Sequence, residues 1–388
     1  MTTTNTNCVT KCSDTTSSDK QEHTNKKIKT TAINPFVQRP RQMLVLILQM
    51  FSMYEVARLQ RLVCREFRDA GQERIHERGG RTLYEECMAF LHGLDHYIID
   101  QDKGYLLFQA SLEAGCKTAL VQQRMTALNL SDEDKQKIFK DLKDISTSSP
   151  YNWADYFIGR WYQRGWDGEE KKNQAVAWFE KAIHKGNTRA MCTLGVSYGN
   201  GDLGLTQSAN KAIELYALAA DKGHATARCN LGFKYHKGKG DLEIDFNRCV
   251  ELYERSAKQG YVDAQTSLAD MYRSGSEDGP PMTIPVDLQL CFRWYLAAAK
   301  QEDVNAMFNI GDAYRQGWGV EQNFESSFEW FMKAAEKEDE HAQWAIGDFY
   351  EHGEGVDVDL VQAMHWYQKS AAQGNQSARE DVERLSNQ

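Results

Sequence analysis

From residue 153 onward, apolar and polar positions recur with a period of about 36 residues. Ala154, Ala190, Ala227, Ala264, Ala306, Ala342 and Ala378 set the register, at steps of 36, 37, 37, 42, 36 and 36. Four residues after the first six alanines stand Ile158, Leu194, Leu231, Leu268, Ile310 and Ile346, and one further stand Gly159, Gly195, Gly232, Ala269, Gly311 and Gly347. Eight after the alanine come Tyr162, Tyr198, Tyr235, Tyr272, Tyr314 and Tyr350, and eleven after it a glycine, from Gly165 to Gly353. Offsets of zero, four and eight share one helical face, so each unit opens with a helix that stops at a C-cap glycine.

The second half of each unit is as regular. Eleven residues before the next alanine stand Phe179, Tyr216, Tyr253, Tyr295, Phe331 and Tyr367, each preceded by Trp178, Leu215, Leu252, Trp294, Trp330 or Trp366. Small residues flank these rings: Ala175, Ala212, Cys249, Cys291, Ser327 and Ala363 four earlier, Ala182, Ala219, Ser256, Ala298, Ala334 and Ser370 three later. Rings alternating with small residues let two helices approach and interlock, and the Trp-Tyr row reads as core. The second helix ends at Gly186, Gly223, Gly260 and Gly374, whereas Glu302 and Glu338 replace the glycine in two units and predict a different cap there. A single helix pair cannot bury its stripe alone, so the expectation is all-α: a solenoid of antiparallel pairs with a concave surface.

The pattern A-x3-LG-x2-Y-x2-G…A-x2-WY-x2-A-x6-A resembles the Sel-one-like repeat, a relative of the tetratricopeptide repeat, over residues 153–378 in six units. The resemblance implies a scaffold that binds other proteins and is not an enzyme. The fourth unit is extended at Ser276–Val286, where Pro280, Pro281 and Pro285 predict a loop projecting between its helices. Beyond Ala378, Val382 and Leu385 continue an amphipathic segment that predicts a polar cap. Trp318 and Trp344 are candidate contact residues; Trp344 shares its repeat position with Cys192 and Cys229.

Ahead of the repeats the chain changes character. Residues 1–34 are rich in Thr, Ser, Asn and Lys and predict a disordered tail; Lys26-Lys27-Ile28-Lys29 within it is the pattern of a weak nuclear-import patch. In residues 36–81, Leu44–Phe51 is densely apolar, and Val56, Leu59, Leu62, Val63 and Phe67 fall at helical spacing. Val56–Phe67 resembles the second half of an F-box, with Leu44–Phe51 as its first helix and Arg39-Pro40 in place of the usual Leu-Pro opening. That resemblance implies a surface for a Skp-type adaptor including Leu44, Ile47, Leu48, Phe51, Val56, Leu59 and Leu62. The alternative is an amphipathic helix pair that caps the solenoid. Residues 82–150 read as a helical connector: Phe108, Gly115 and Ala119 repeat the end of a second helix, Ser131 N-caps a helix over Asp132–Asp144, and Thr147-Ser148-Ser149-Pro150 reads as a hinge. Residues 151–388 hold the six repeats and the cap.

Composition narrows the function. Of 388 residues 41% are apolar and 26% charged, enough for a folded core. The net charge is −9, yet residues 1–34 carry +2 and residues 35–81 +4, which leaves −15 on the remainder. An acidic body argues against nucleic acid or an anionic membrane as the partner. The longest uncharged apolar run, Gln42–Tyr54, has thirteen residues, too few to span a bilayer, and no secretory segment opens the chain, so a cytoplasmic or nuclear location is expected. None of the nine cysteines forms a CxxC, Cys8 and Cys12 lack a partnering pair, and Cys192, Cys229, Cys249 and Cys291 fall at shared repeat positions that structural placement explains, which argues against disulfide staples. His92 and His96 lack the intervening glutamate of a zinc-protease helix, and the GxG triplets at Gly317 and Gly353 end helices instead of opening them. No catalytic residue, cofactor or metal is expected. The F-box and repeat resemblances together imply the substrate-recognition subunit of an SCF-type ubiquitin ligase. The alternative is a repeat scaffold with no ligase role.

Overall fold

The computed structural model describes Cys116 and residues 131–148, 153–166, 171–275 and 284–387. The tail, the F-box-like module with Leu44, Ile47, Leu48, Phe51, Val56, Leu59 and Leu62, and the degenerate unit at Phe108, Gly115 and Ala119 lie outside the described residues. Among the described residues there are fourteen α-helices, one 3-10 turn at Asp202–Gly204 and no strand, and none of these helices is long and apolar enough to cross a membrane.

Helix α1 spans Asp132–Ser148. Its start is as expected, with the Asp134 N–H donating to the Ser131 hydroxyl at 3.1 Å. Its end is not: Thr147 and Ser148 belong to the last turn, so the expected hinge begins no earlier than Ser149. Six pairs follow: α2 (Trp153–Gln163) with α3 (Lys172–His184), α4 (Thr188–Asn200) with α5 (Ala209–Asp221), and α6 (Ala225–Lys237) with α7 (Phe246–Lys258). Then come α8 (Val262–Ser274) with α9 (Leu288–Ala299), α10 (Val304–Gln316) with α11 (Phe324–Glu336), α12 (Glu340–His352) with α13 (Leu360–Gln373), and a final α14 (Gln376–Ser386). Each helix packs on the next in chain order, which makes a helix-pair solenoid.

The Leu-Gly motif has a direct steric cause. A Cβ at Gly159, Gly195, Gly232, Gly311 or Gly347 would stand 2.6–2.8 Å from the ring of Phe179, Tyr216, Tyr253, Phe331 or Tyr367. The ring of the second helix thus lies flat on a bare stretch of the first, and all five rings are buried. The tryptophans before them behave differently from expectation. Trp178, Trp330 and Trp366 are only half-buried, and each has a lysine three residues on over its face: Lys181, Lys333 and Lys369, with Nζ 4.0–4.3 Å from the ring centroid. They edge the core while the following ring fills it.

Two backbone devices repeat in every unit. The N–H of the residue that precedes each second helix donates to the carbonyl of the tyrosine in the first: Lys171 to Tyr162, Ser208 to Tyr198, Asp245 to Tyr235, Asp287 to Tyr272, Asn323 to Tyr314 and Asp359 to Tyr350, at 2.8–3.2 Å. The fourth unit keeps this bond despite its extra residues, so its two helices meet as in the other units. Residues 276–283 of that loop lie outside the described residues; its descending end returns Ile284 to the core.

The second device is the cap that ends each second helix. Glu302 and Glu338 were expected to cap differently from glycine. They do not. Both take φ +67°, in the left-handed region of Gly186, Gly223 and Gly260. The paired bonds are also the same: Glu302 N–H to the Ala299 carbonyl and Asp303 N–H to Ala298, as Gly186 N–H goes to Ile183 and Asn187 N–H to Ala182. Stacking of the next repeat fixes the geometry and overrides the residue's own preference.

Candidate functional site: the face of the first helices

At about 100° per residue, the position six after each alanine points away from the buried stripe. It reads Arg160, Val196, Phe233, Asp270, Asp312 and Asp348 along the array. Val196 and Phe233 are 40% and 47% exposed there, two large apolar side chains on adjacent repeats of the row. The three aspartates succeed them on α8, α10 and α12.

Polar side chains tie successive first helices together across this face. Arg273 donates to the Asn309 side-chain oxygen at 2.8 Å. Arg315 pairs with Asp348, and with Glu354 at 3.0 Å. Arg384 forks onto Glu351 at 2.6 and 2.7 Å, and its hydrogen bond holds that carboxyl below the usual range. The tyrosines beneath reach up through their hydroxyls, Tyr295 to Asp270 and Tyr367 to Glu351, the latter at 2.9 Å. Asp312 is different: burial pushes its carboxyl up, against the opposing pull of Arg315 and Arg273. The face is a braced surface from α8 to α14.

A cavity of about 410 Å³ opens between the third and fourth pairs. Phe233 and His236 of α6, Phe246 and Tyr253 of α7, and Asp270 and Met271 of α8 line it. The His236 ring meets Phe246 edge-on at 5.7 Å. Partial burial, with Lys237 beside it, lowers the His236 pKa, so the ring is neutral at pH 7. The cavity is an aromatic hollow lined by one carboxylate, Asp270, and one ammonium, Lys237, of a size that takes one large side chain.

Charge changes sign at the same junction. Residues 154–261 carry 16 Lys and Arg against 13 Asp and Glu, whereas residues 262–375 carry 7 against 20. The acidity of the body therefore belongs to the last three repeats, net −13 against +3 for the first three.

The interior offers little reactivity. Cys192, Cys249 and Cys291 are free, buried thiols that burial pushes up to about 12, 12 and 11, and Cys229 moves further in the same direction. They act as small core residues. Among the described residues no three His, Cys, Asp or Glu side chains converge as metal ligands would. The candidate contact residue Trp344 is spoken for: it is half-buried, and its indole N–H donates to Asp381 of α14 at 2.9 Å. Trp318 follows the α10 cap and is half-buried. The exposed Val196 and Phe233 escaped sequence reasoning because they vary between repeats; an apolar residue breaking a polar row was the available signal.

The sequence profile of the Sel1 repeat matches residues 154–187, 188–224, 225–261, 262–303, 304–339 and 340–375, more than half of the chain. No curated protein matches the chain. Among solved structures, a Sel1 repeat protein from Oxalobacter formigenes is similar at 27% identity and a TM-score of 0.51, over 58% of this chain and 88% of the other. A putative Sel1 repeat protein from Klebsiella pneumoniae is similar at 19% identity and a TM-score of 0.33, over 54% and 99%. The uropathogenic Escherichia coli protective antigen c5321 aligns at 19% identity and a TM-score of 0.33, over 89% and 90%.

Proposed function

This chain belongs to the Sel1 repeat family, and from that premise we propose that it is a non-enzymatic protein-binding scaffold that serves as a substrate receptor for an SCF-type ubiquitin ligase in the cytoplasm or nucleus. The scaffold role is carried by one observation: the first helices present a face that polar side chains brace from α8 onward and that exposes Val196 and Phe233 ahead of the braced stretch. The ligase role rests on the F-box-like pattern of Val56–Phe67 preceded by Leu44–Phe51. In this reading Leu44, Ile47, Leu48, Phe51, Val56, Leu59 and Leu62 supply the adaptor surface and the helices that hold it. The repeats then hold a target at high effective concentration near the ubiquitin-loaded enzyme, and no bond is made by this chain.

Calorimetric titration of the full chain with a purified Skp-type adaptor tests it. Micromolar or tighter binding, abolished by Leu59→Asp with Leu62→Asp while circular dichroism is unchanged, is the expected result. A folded chain that gives no heat with the adaptor sinks the ligase role and leaves residues 36–81 as a cap on the solenoid.

A further inference from the structure

We infer that the face of the first helices takes an extended peptide segment with one large aliphatic or aromatic side chain followed by a run of lysines or arginines. The apolar anchor enters the hollow at Phe233, and the basic run lies along the fourth to sixth repeats. This rests on the protein-binding reading of the array, though not on its ligase role.

Three observations meet at one place. The apolar part of the exposed row ends at Phe233, and the acidic part begins one repeat later at Asp270. The cavity of about 410 Å³ lies between those two residues and is lined by both. The net charge of the array changes from +3 to −13 at that boundary. A ligand with uniform character would suit only one half of such a surface. An apolar segment would forgo the aspartates, and a purely basic one would leave the aromatic hollow wet. A segment that is apolar at one end and basic along the rest matches both, and the mismatch penalises the reverse arrangement.

The aspartates are placed to receive such a run. Asp270 is 60% exposed and held in place by the Tyr295 hydroxyl, and its nearest cation, Arg273 at 3.6 Å, sits beyond hydrogen-bond distance. Asp312 is held half-buried between the first helices, where burial disfavours its charge, so a ligand cation restores what it lost. Three stacked repeats, at about 10 Å per packed helix, span roughly 30 Å, or about nine residues of extended chain. The net −13 of these repeats also steers a basic segment toward the face, so association should depend strongly on salt.

The test uses the full chain and a fluorescein-labelled peptide of about twelve residues, one leucine followed by four lysines spaced by serine. Expected is saturable binding by fluorescence anisotropy, weakened about tenfold or more by leucine-to-alanine in the peptide. Phe233→Ala and Asp270→Asn with Asp312→Asn in the protein should each weaken it similarly, with helicity unchanged by circular dichroism. Binding should fall by about tenfold or more between 50 and 300 mM salt. Four results overturn the inference: no saturable binding to folded protein, equal binding of a glutamate-for-lysine peptide, indifference to the leucine, or indifference to Phe233→Ala. None of them bears on the adaptor titration, so the two readings fail separately.

Discussion

Two single positions show how the array sets the state of a residue. Asn187, His224, Asp303, Asp339 and Asn375 stand three before the repeat alanine, and each side chain accepts that alanine's N–H. His224 does so through Nδ1 at 3.4 Å, buried to 4% exposure, and burial, with Arg189 and Arg228 near, lowers its pKa to about 3. Its unfolded value is near 6.5, so the unfolded chain takes up a proton first as pH falls. The contribution is whole above pH 6.5 and drains away between 6.5 and about 3. Urea melts at pH 7 and pH 5 should therefore differ by about 2 kcal/mol from this residue alone. His224→Asn, which copies the caps at Asn187 and Asn375, should remove most of that difference; an unchanged difference would show that the histidine is protonated in place. Glu338 makes the opposite point. It holds φ +67° where four repeats have glycine, and such a backbone costs a side-chain-bearing residue about 1–2 kcal/mol. Glu338→Gly recovers that, less glycine's unfolded-state entropy, for a net gain of about 1 kcal/mol and a melting point higher by about 2–4 °C. A lower melting point would mean the glutamate is not strained.

At the level of elements, the start of the described array depends on a polar joint that no repeat rule contains. Asp155 on α2 is fully buried, one residue after the first repeat alanine. It accepts from Ser146 of α1 at 2.5 Å and pairs with Lys181 of α3 and with Lys185, the C-cap of that helix, at 3.1 and 2.6 Å. The lysines keep 43% and 26% of their side chains exposed, so they recover hydration when the carboxylate goes, and Asp155→Asn should cost only about 1–3 kcal/mol. Lys181→Met with Lys185→Met leaves the carboxylate buried with the Ser146 hydroxyl alone and should cost about 3–5 kcal/mol. Denaturant melts that reverse this order would show that the carboxylate is hydrated. The same joint shows what the sequence made legible. The alanine, Leu-Gly and Phe/Tyr rows could be read because they repeat, and repetition reports packing that every unit must solve alike. The Trp row was misread as core because spacing alone cannot tell a ring that faces the partner helix from its neighbour on the helix edge. The left-handed caps at Glu302 and Glu338 were misread because the conformation is imposed by the next repeat. The cap row at Asn187 was readable, since Asn and Asp before a helix are its ordinary starters, but the alanine register drew attention away from it. Asp155 and the cavity were out of reach: each occurs once, and only the fold brings its partners together.

At the scale of the whole array, stability should be a chain of neighbouring interfaces, because each helix packs chiefly on the next. Helix α14 is then the support of one repeat and not of the molecule. It buries Ala378, receives the Trp344 indole N–H on Asp381, and holds Glu351 through Arg384. The last two reach α12; Arg379 adds a bond to the Ala371 carbonyl of α13 at 3.4 Å. A chain ending at Asn375 leaves Trp344 without its hydrogen-bond partner and Glu351 without its arginine, so α12 and α13 should open more often. Native-state hydrogen exchange reads this directly. Protection of amides in 340–375 should fall by about tenfold or more, while 188–261, three interfaces away, should change by less than about twofold. An equal fall everywhere would mean that the six repeats unfold as one unit. The charge step between the third and fourth repeats would then sit inside a single cooperative block, and the face of the first helices could not lose its acidic end while keeping the hollow at Phe233. A fall confined to the last pair would make the acidic end separable, so that the truncated chain retains the apolar anchor site and loses part of the basic-segment contact with it.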